Sequence, residues 1–435
     1  MFTKIILENI GIISQQITLD FTVNKRDKDM MSTISILDDG TYITKRAGII
    51  AGNACGKTTI LNSLTMLGAF MEMPLNKCSL PKMSDLNLDE YKDEYRQKIF
   101  DKFINRFDDY SLILPNLKNE NSIASIYVEM YIKTKEEKTS GFYGYTIKYD
   151  KDYKKKGLIE ESLKFRKKYI SKNSTEIFNL SGHYESEIGY KLAYKQNILK
   201  DIENNKKLYK EINERLLFYK VFNNQYINQS STIGAENYVF PEFWLIDKIK
   251  DNLDLVVSFI KLADDSIKSI TIEDDDTDKP KLYFNYAYYK LRYANISTAT
   301  KKLCAIASSF IKSNKPGGVF LIDELDNSLN RVIINSLIEI YDNNVVNNNA
   351  QVIFTTNTPE ILNNLRRDQI FIITKKVNTI MLTKYSDYID SNTNRKVRKD
   401  FSFSKAYKNN IIRNFPSDNS IKEFKEKINT SFISI

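Results

Sequence analysis

One segment constrains this chain more than any other. Residues 46–51, RAGIIA, form a short apolar run. Gly52-Asn53-Ala54-Cys55-Gly56 is a loop of small residues, and Lys57-Thr58-Thr59 opens the helically spaced stretch ILNSLTMLGAF. Strand, glycine-containing loop and helix in this order fit a Walker A phosphate cradle. A tight loop turns its backbone N–H groups inward onto an anion, and the helix behind it adds its positive N-terminal end. In such a loop Lys57 reaches the β- and γ-phosphates and the Thr58 hydroxyl ligates Mg²⁺. The expected nucleotide contacts are therefore Gly52, Asn53, Ala54, Cys55, Gly56, Lys57, Thr58 and Thr59, with ATP and Mg²⁺ as cofactors. Ala51 stands where such loops usually begin with glycine. Cys55 reads as a small loop residue.

A second feature belongs with the first. VFLIDELDNSL carries an apolar strand into Asp323-Glu324. Two acids at the end of a buried strand are costly unless a cation or a water network meets them. Asp323 is placed to orient Mg²⁺ through its water shell, and Glu324 to polarise the attacking water as general base. The runs at 317–323 and 351–356 are continuous and apolar, as parallel strands buried on both faces are. A helix is expected between them at 328–343.

The rest of the chain supplies layers around this core. Residues 2–9 and 17–22 alternate as strands, and 123–133, 142–149, 157–165 and 175–180 read as antiparallel strands separated by turns. Residues 196–220 carry apolar positions at alternating spacings of four and three, a heptad seam. A second amphipathic helix covers about 245–262. A strand at 281–289 follows the acidic turn EDDDTD.

Composition narrows the chemistry. The chain has 435 residues, 42% of them hydrophobic and 27% charged, which is globular rather than disordered. No stretch has the roughly 18 apolar residues of a membrane span, so a cytoplasmic protein without a membrane partner is expected. One histidine and three scattered cysteines leave no CxxC pair and no zinc cluster. The net charge of +9 suits a polyanion partner such as nucleic acid, or a solvated lysine-rich surface.

The motifs resemble those of the ABC/SMC-like ATPases. DELDNSL, a helix, a strand and TTNTPEIL are similar to that family's DE-x-x-x-SLHP and TTHxPEIL. Ile296-Ser297-Thr298-Ala299-Thr300-Lys301-Lys302 resembles its signature loop LSTGTKR. The order Walker A, insertion, signature, Walker B, switch also matches. The resemblance implies an α/β fold: an ABC-type P-loop NTPase core with a mixed sheet, an antiparallel β layer and a helical insertion. The chain divides into 1–190 with the Walker A loop, the insertion at 191–264, and 265–435 with signature, Walker B and switch.

It further implies an ATP-dependent dimer in which Ser297 contacts the γ-phosphate held by the other subunit, with Asn357 at the switch position as a catalytic contact. Two further positions depart from the family. Ala299 replaces the signature glycine, and Asn357 replaces a histidine, so it can donate a hydrogen bond but not shuttle a proton. With Ala51 they imply slow hydrolysis. The family's Mg²⁺-contacting glutamine has no placed counterpart. The short helices separate the chain from chromosome-organising SMC proteins. What remains resembles the compact OLD-like and PARIS-type ATPase subunits of bacterial phage-defence loci, which act with a separate toxin or nuclease. The expected function is a slow, dimerising ATPase that senses a signal and controls such an effector. Two alternatives stand beside it: a RecF-like DNA-binding ATPase of repair, and a nucleotide-dependent scaffold with negligible hydrolysis.

Overall fold

The structure, a computed structural model, describes residues 1–24, 30–52, 55–72, 123–133, 140–149, 159–179, 242–274, 280–313, 318–342, 350–376, 379–390, 395–396, 402–408, 422–423 and 425–428. The heptad segment 196–220 and the loop residues Asn53 and Ala54 lie outside them.

The alternating N-terminus forms β1 (Phe2–Glu8) and β2 (Ile17–Asp20). Two short strands follow, β3 (Ile34–Ile36) and β4 (Tyr42–Thr44), and then β5 (Arg46–Ile50), every residue of which is buried. Helix α1 (Lys57–Glu72) starts at the lysine of the phosphate loop. Four strands come next: β6 (Ala124–Ile132), β7 (Gly141–Tyr149), β8 (Glu160–Arg166) and β9 (Thr175–Asn179). They extend β1 and β2 into an antiparallel sheet of order β2-β1-β6-β7-β8-β9. Its inward positions line up across the strands. Ile5, Val128, Tyr145 and Leu163 are successive partners, and all are buried. This is the period-two alternation of a sheet with one face on the core.

Two stretches differ from the sequence expectation. The helix at 245–262 is broken into α2 (Glu242–Ile249) and α3 (Leu253–Ile260) by a 3₁₀ turn at Lys250–Asn252. Asp251 and Asn252 are weak helix formers because their side chains compete for nearby backbone groups. Asn252 leaves the helical region, at φ −141° and ψ 35°. The strand at 281–289 is a hairpin. β10 (Ser269–Asp274) pairs with β11 (Pro280–Asn285), and β11 turns at Tyr286–Tyr289 into β12 (Lys290–Arg292). The Tyr286 N–H donates to the Tyr289 carbonyl at 2.9 Å and closes the turn.

Six further elements build the centre: α4 (Thr298–Ser313), β13 (Val319–Ile322), α5 (Arg331–Glu339), β14 (Gln351–Thr356), β15 (Ile370–Lys376) and β16 (Thr379–Lys384). The strands form a mixed sheet of order β13-β14-β5-β15-β16, parallel except for the antiparallel last pair. Alternate residues of these strands feed two cores. Ala47, Ile49, Val319, Leu321, Ile353 and Phe371 pack with the antiparallel layer and α1. Ile50, Phe320, Ile322, Val352, Phe354 and Ile370 pack with α2, α3, α4 and α5. Burial on both faces is what the unbroken apolar runs encode. Among the described residues no helix is long and apolar enough to cross a membrane.

One polar side chain joins the layers. Gln351, fully buried at the start of β14, accepts from the Phe2 N–H at 2.9 Å. Its amide nitrogen donates to the carbonyls of Thr44 at 2.9 Å and Phe2 at 3.3 Å. It therefore ties β1 of the antiparallel layer to β4 and β14. Gln351→Leu should leave these buried backbone groups unmet. Since each costs about 1–3 kcal/mol, we expect a loss of roughly 2–4 kcal/mol in chemical denaturation. A loss below about 0.5 kcal/mol, the range of neutral surface changes, would show that the layers do not depend on this side chain.

Candidate nucleotide site

Strands β13, β14 and β5 run parallel and adjacent, so their C-terminal ends open on one edge of the sheet. Ligands of open parallel sheets bind along this edge. β5 delivers the phosphate loop, β13 delivers Asp323-Glu324, and β14, between them, delivers Thr355 and Asn357.

Gly56 takes φ +92°, a conformation that side chains rarely adopt and glycine tolerates. Lys57 follows, 6% exposed. Its Nζ donates to the carbonyls of Ala51 at 3.0 Å and Gly52 at 3.2 Å, and to Asn357 Oδ1 at 2.6 Å. Burial holds its pKa below the usual lysine value, with Cys55, Glu324, Asp323 and Asp326 pulling the other way. Thr58 Oγ1 donates to Asp323 Oδ2 at 2.8 Å. Thr355 Oγ1 donates to Asp323 Oδ1 at 2.5 Å and accepts from the Glu324 N–H at 2.7 Å. Asp323 is 2% exposed, and both its oxygens are held. Glu324 sits at φ +45°, in the left-handed region that is uncommon for a residue with a Cβ.

Sequence reasoning singled out Lys57, Thr58, Asp323, Glu324 and Asn357, and the structure brings them together at one edge. Asn357 presents its oxygen to Lys57, which leaves the amide nitrogen as its donor. Thr59 is placed differently. Its methyl lies against Gly11, 3.2 Å from where a Cβ there would stand. Ser297 is exposed and caps α4: its Oγ accepts from the Thr300 N–H at 3.1 Å. Among the described residues its hydrogen bonds stay within its own helix. Cys55 is buried.

Two residues were missed. Thr355 bridges Asp323 and the Glu324 backbone. Asp326 Oδ2 accepts from the Asn357 N–H at 3.1 Å and the Thr358 hydroxyl at 2.7 Å, tying the loop after β13 to the switch segment. Their only sequence signal is position, inside TTNTPEIL and DELDNSL.

The donor set suits a hard divalent cation. Thr58 Oγ1 and Asp323 Oδ2 are 2.8 Å apart. A hydroxyl already held against a buried carboxylate can turn a lone pair to Mg²⁺, with the carboxylate accepting from a water of the ion's shell. One or two protein oxygens, completed by phosphate and water, are the usual arrangement for this ion.

Fold and site together define a P-loop NTPase core. A family profile described as "AAA domain, putative AbiEii toxin, Type IV TA system" matches residues 86–363, well over half of the chain. The chain belongs to this family. The matched span holds Ser297, Asp323, Glu324 and Asn357, whereas the phosphate loop lies upstream of it. No curated protein matches the chain. Among solved structures, an SMC head bound to the C-winged helix domain of ScpA is 11% identical with a TM-score of 0.44, covering 88% of this chain and 97% of its own. The SMC head domain from Thermotoga maritima is 10% identical with a TM-score of 0.36, covering 88% and 98%. An SMC head with an extended coiled coil, bound to the C-terminal domain of ScpA from Pyrococcus furiosus, is 10% identical with a TM-score of 0.42, covering 94% and 98%.

Thr355→Val removes the hydroxyl that joins Asp323 to the Glu324 N–H. Orphaning these buried groups costs about 1–3 kcal/mol, and denaturation of the variant should show a loss of that size. An unchanged midpoint would mean that Asp323 is held without Thr355.

Proposed function

We propose that this chain binds Mg-ATP and hydrolyses it slowly, in an ATP-dependent dimer of identical subunits. One observation carries the reading. Lys57–Asn357 and Thr58–Asp323–Thr355–Glu324 form two hydrogen-bonded sets gathered where β5, β13 and β14 end on one sheet edge. Lys57 exchanges its carbonyl partners for the β- and γ-phosphates. The backbone N–H groups of Gly52, Cys55 and Gly56 would face the phosphates, with Asn53 and Ala54, which lie outside the described residues, and the Thr59 N–H as further expected loop contacts. Thr58 would ligate Mg²⁺ and Asp323 would orient it through its water shell; the ion, when bound, would neutralise phosphate charge. Glu324 accepts a proton from the attacking water. Asn357 donates toward the γ-phosphate through its amide nitrogen. Ser297, exposed at the cap of α4, serves the nucleotide of the second subunit.

The biological reading is a cytoplasmic sensor that controls a separate effector, a toxin or nuclease, in antiphage defence. The family's description names a type IV TA system, which supports a role paired with a second protein, and it applies the word toxin to the AAA domain itself. The insertion expected at 191–264 is the proposed docking element; its described helices α2 and α3 pack against the central sheet, and 191–241 lie outside the described residues.

Two substitutions test the site. Lys57→Ala should weaken ATP binding by about tenfold or more, some 1.4 kcal/mol. Glu324→Gln should keep binding but lower turnover by on the order of 10²-fold or more, the usual size of a general-base contribution. Unchanged affinity in the first, or wild-type turnover in the second, overturns the corresponding assignment. The dimer has its own test. Ser297→Arg and Glu324→Gln subunits, each inactive alone, should recover part of the activity when mixed, because one composite site of the mixed dimer carries neither defect. No recovery at any ratio removes Ser297 from the partner's site.

A further inference from the structure

Lys302 lies in the second turn of α4, the helix capped by Ser297, and is fully buried. Its Nζ donates to three main-chain carbonyls: Glu324 at 2.8 Å, Leu325 at 3.3 Å and Asn327 at 2.6 Å. An ammonium has three N–H donors, and here they converge on the loop that leaves β13. The same loop holds two left-handed residues, Glu324 at φ +45° and Ser328 at φ +62°. Such conformations persist only where the surroundings over-determine them.

A buried ammonium is expensive, and an apolar side chain of similar length would fill the same space without desolvating a charge. Burial draws the Lys302 pKa down to about 8, with Asp326, Glu324 and Asp323 pulling it back up. What the lysine supplies, and a methionine could not, is the shape of the loop. We infer that Lys302 is a positioning residue: by gathering the carbonyls of residues 324, 325 and 327 it sets the direction of the Glu324 side chain. It does so from the helix whose first turn carries Ser297, so a displacement of that cap moves the loop with it. The inference rests on the assignment of Glu324 as general base.

The test uses the full chain. Lys302→Met should lower kcat on the order of tenfold or more, with KM and ATP affinity unchanged within about twofold, since the groups that hold the phosphates are untouched. Lys302→Arg, which keeps charge and donors, should recover part of the loss. In the Glu324→Gln background Lys302→Met should cause no further loss, because both act through one group. Should Lys302→Met not fold, Lys302→Gln takes its place with the same expectation. The inference is overturned if the folded variants turn over at the wild-type rate, if affinity falls together with kcat, or if the two substitutions are additive. It is also overturned if no Lys302 variant folds, because the lysine is then structural. Wild-type turnover in Glu324→Gln alone sinks the base assignment and this inference with it. An inactive Glu324→Gln beside a fully active Lys302→Met sinks only the inference.

Discussion

Asp323 ends a strand whose residues are all buried, and its own carboxylate is almost completely withdrawn from water. A carboxylate in that position must be met by donors or it destabilises the strand that carries it. Two threonines meet it, one from the helix behind the phosphate loop and one from the neighbouring strand. That single requirement couples three parts of the chain that are distant in sequence. The order β13-β14-β5 places the strand with Thr355 between the two motif strands, so satisfying Asp323 aligns the proposed nucleotide site. Thr355 also receives the Glu324 N–H, and the proposed base inherits its position from the same bond network.

Other buried polar groups serve the same end. Arg46, 1% exposed, pairs with Asp342 after α5 at 3.1 Å and donates to the Asn364 carbonyl at 3.2 Å. It fixes the start of the strand that leads to the phosphate loop. Burial holds the Arg46 pKa below its usual value, with Asp342 opposing. Such pairs add little net stability against an apolar alternative, but breaking one is costly, so they favour one arrangement over its competitors. Gln351 works in the same way without charge. Around these few polar ties the two apolar cores supply the bulk of the stabilisation through area removed from water.

Much of the architecture was legible because its signals are local. The buried run before Gly52 had to be a strand buried on both faces. The alternation at 2–9 and 123–133 had to be half-buried strands, and the two acids after VFLI had to face a polar site. Where the local signal was mixed, the reading went astray. The hairpin at 280–292 looked like one strand because its turn, Tyr286–Tyr289, is aromatic and carries no glycine or proline. The helix over 245–262 kept its apolar face, with Ile246, Ile249, Val256, Val257 and Ile260 buried, across a break that periodicity does not register.

By itself the sequence marked the candidate site: a loop with Lys57 and Thr58, and a carboxylate pair at a strand end. Each is a contiguous string whose residue types follow from what a phosphate or a hard cation requires. Only the tertiary structure decided how these strings meet. That β14 lies between the motif strands, that Thr355 joins Asp323 to Glu324, and that Lys302 reaches the Glu324 loop from another helix depend on strand order and helix packing. A lone threonine or lysine has the same local pattern on a solvated surface as in a buried network. The difference is the desolvation it meets, and that is set by residues far away in the chain.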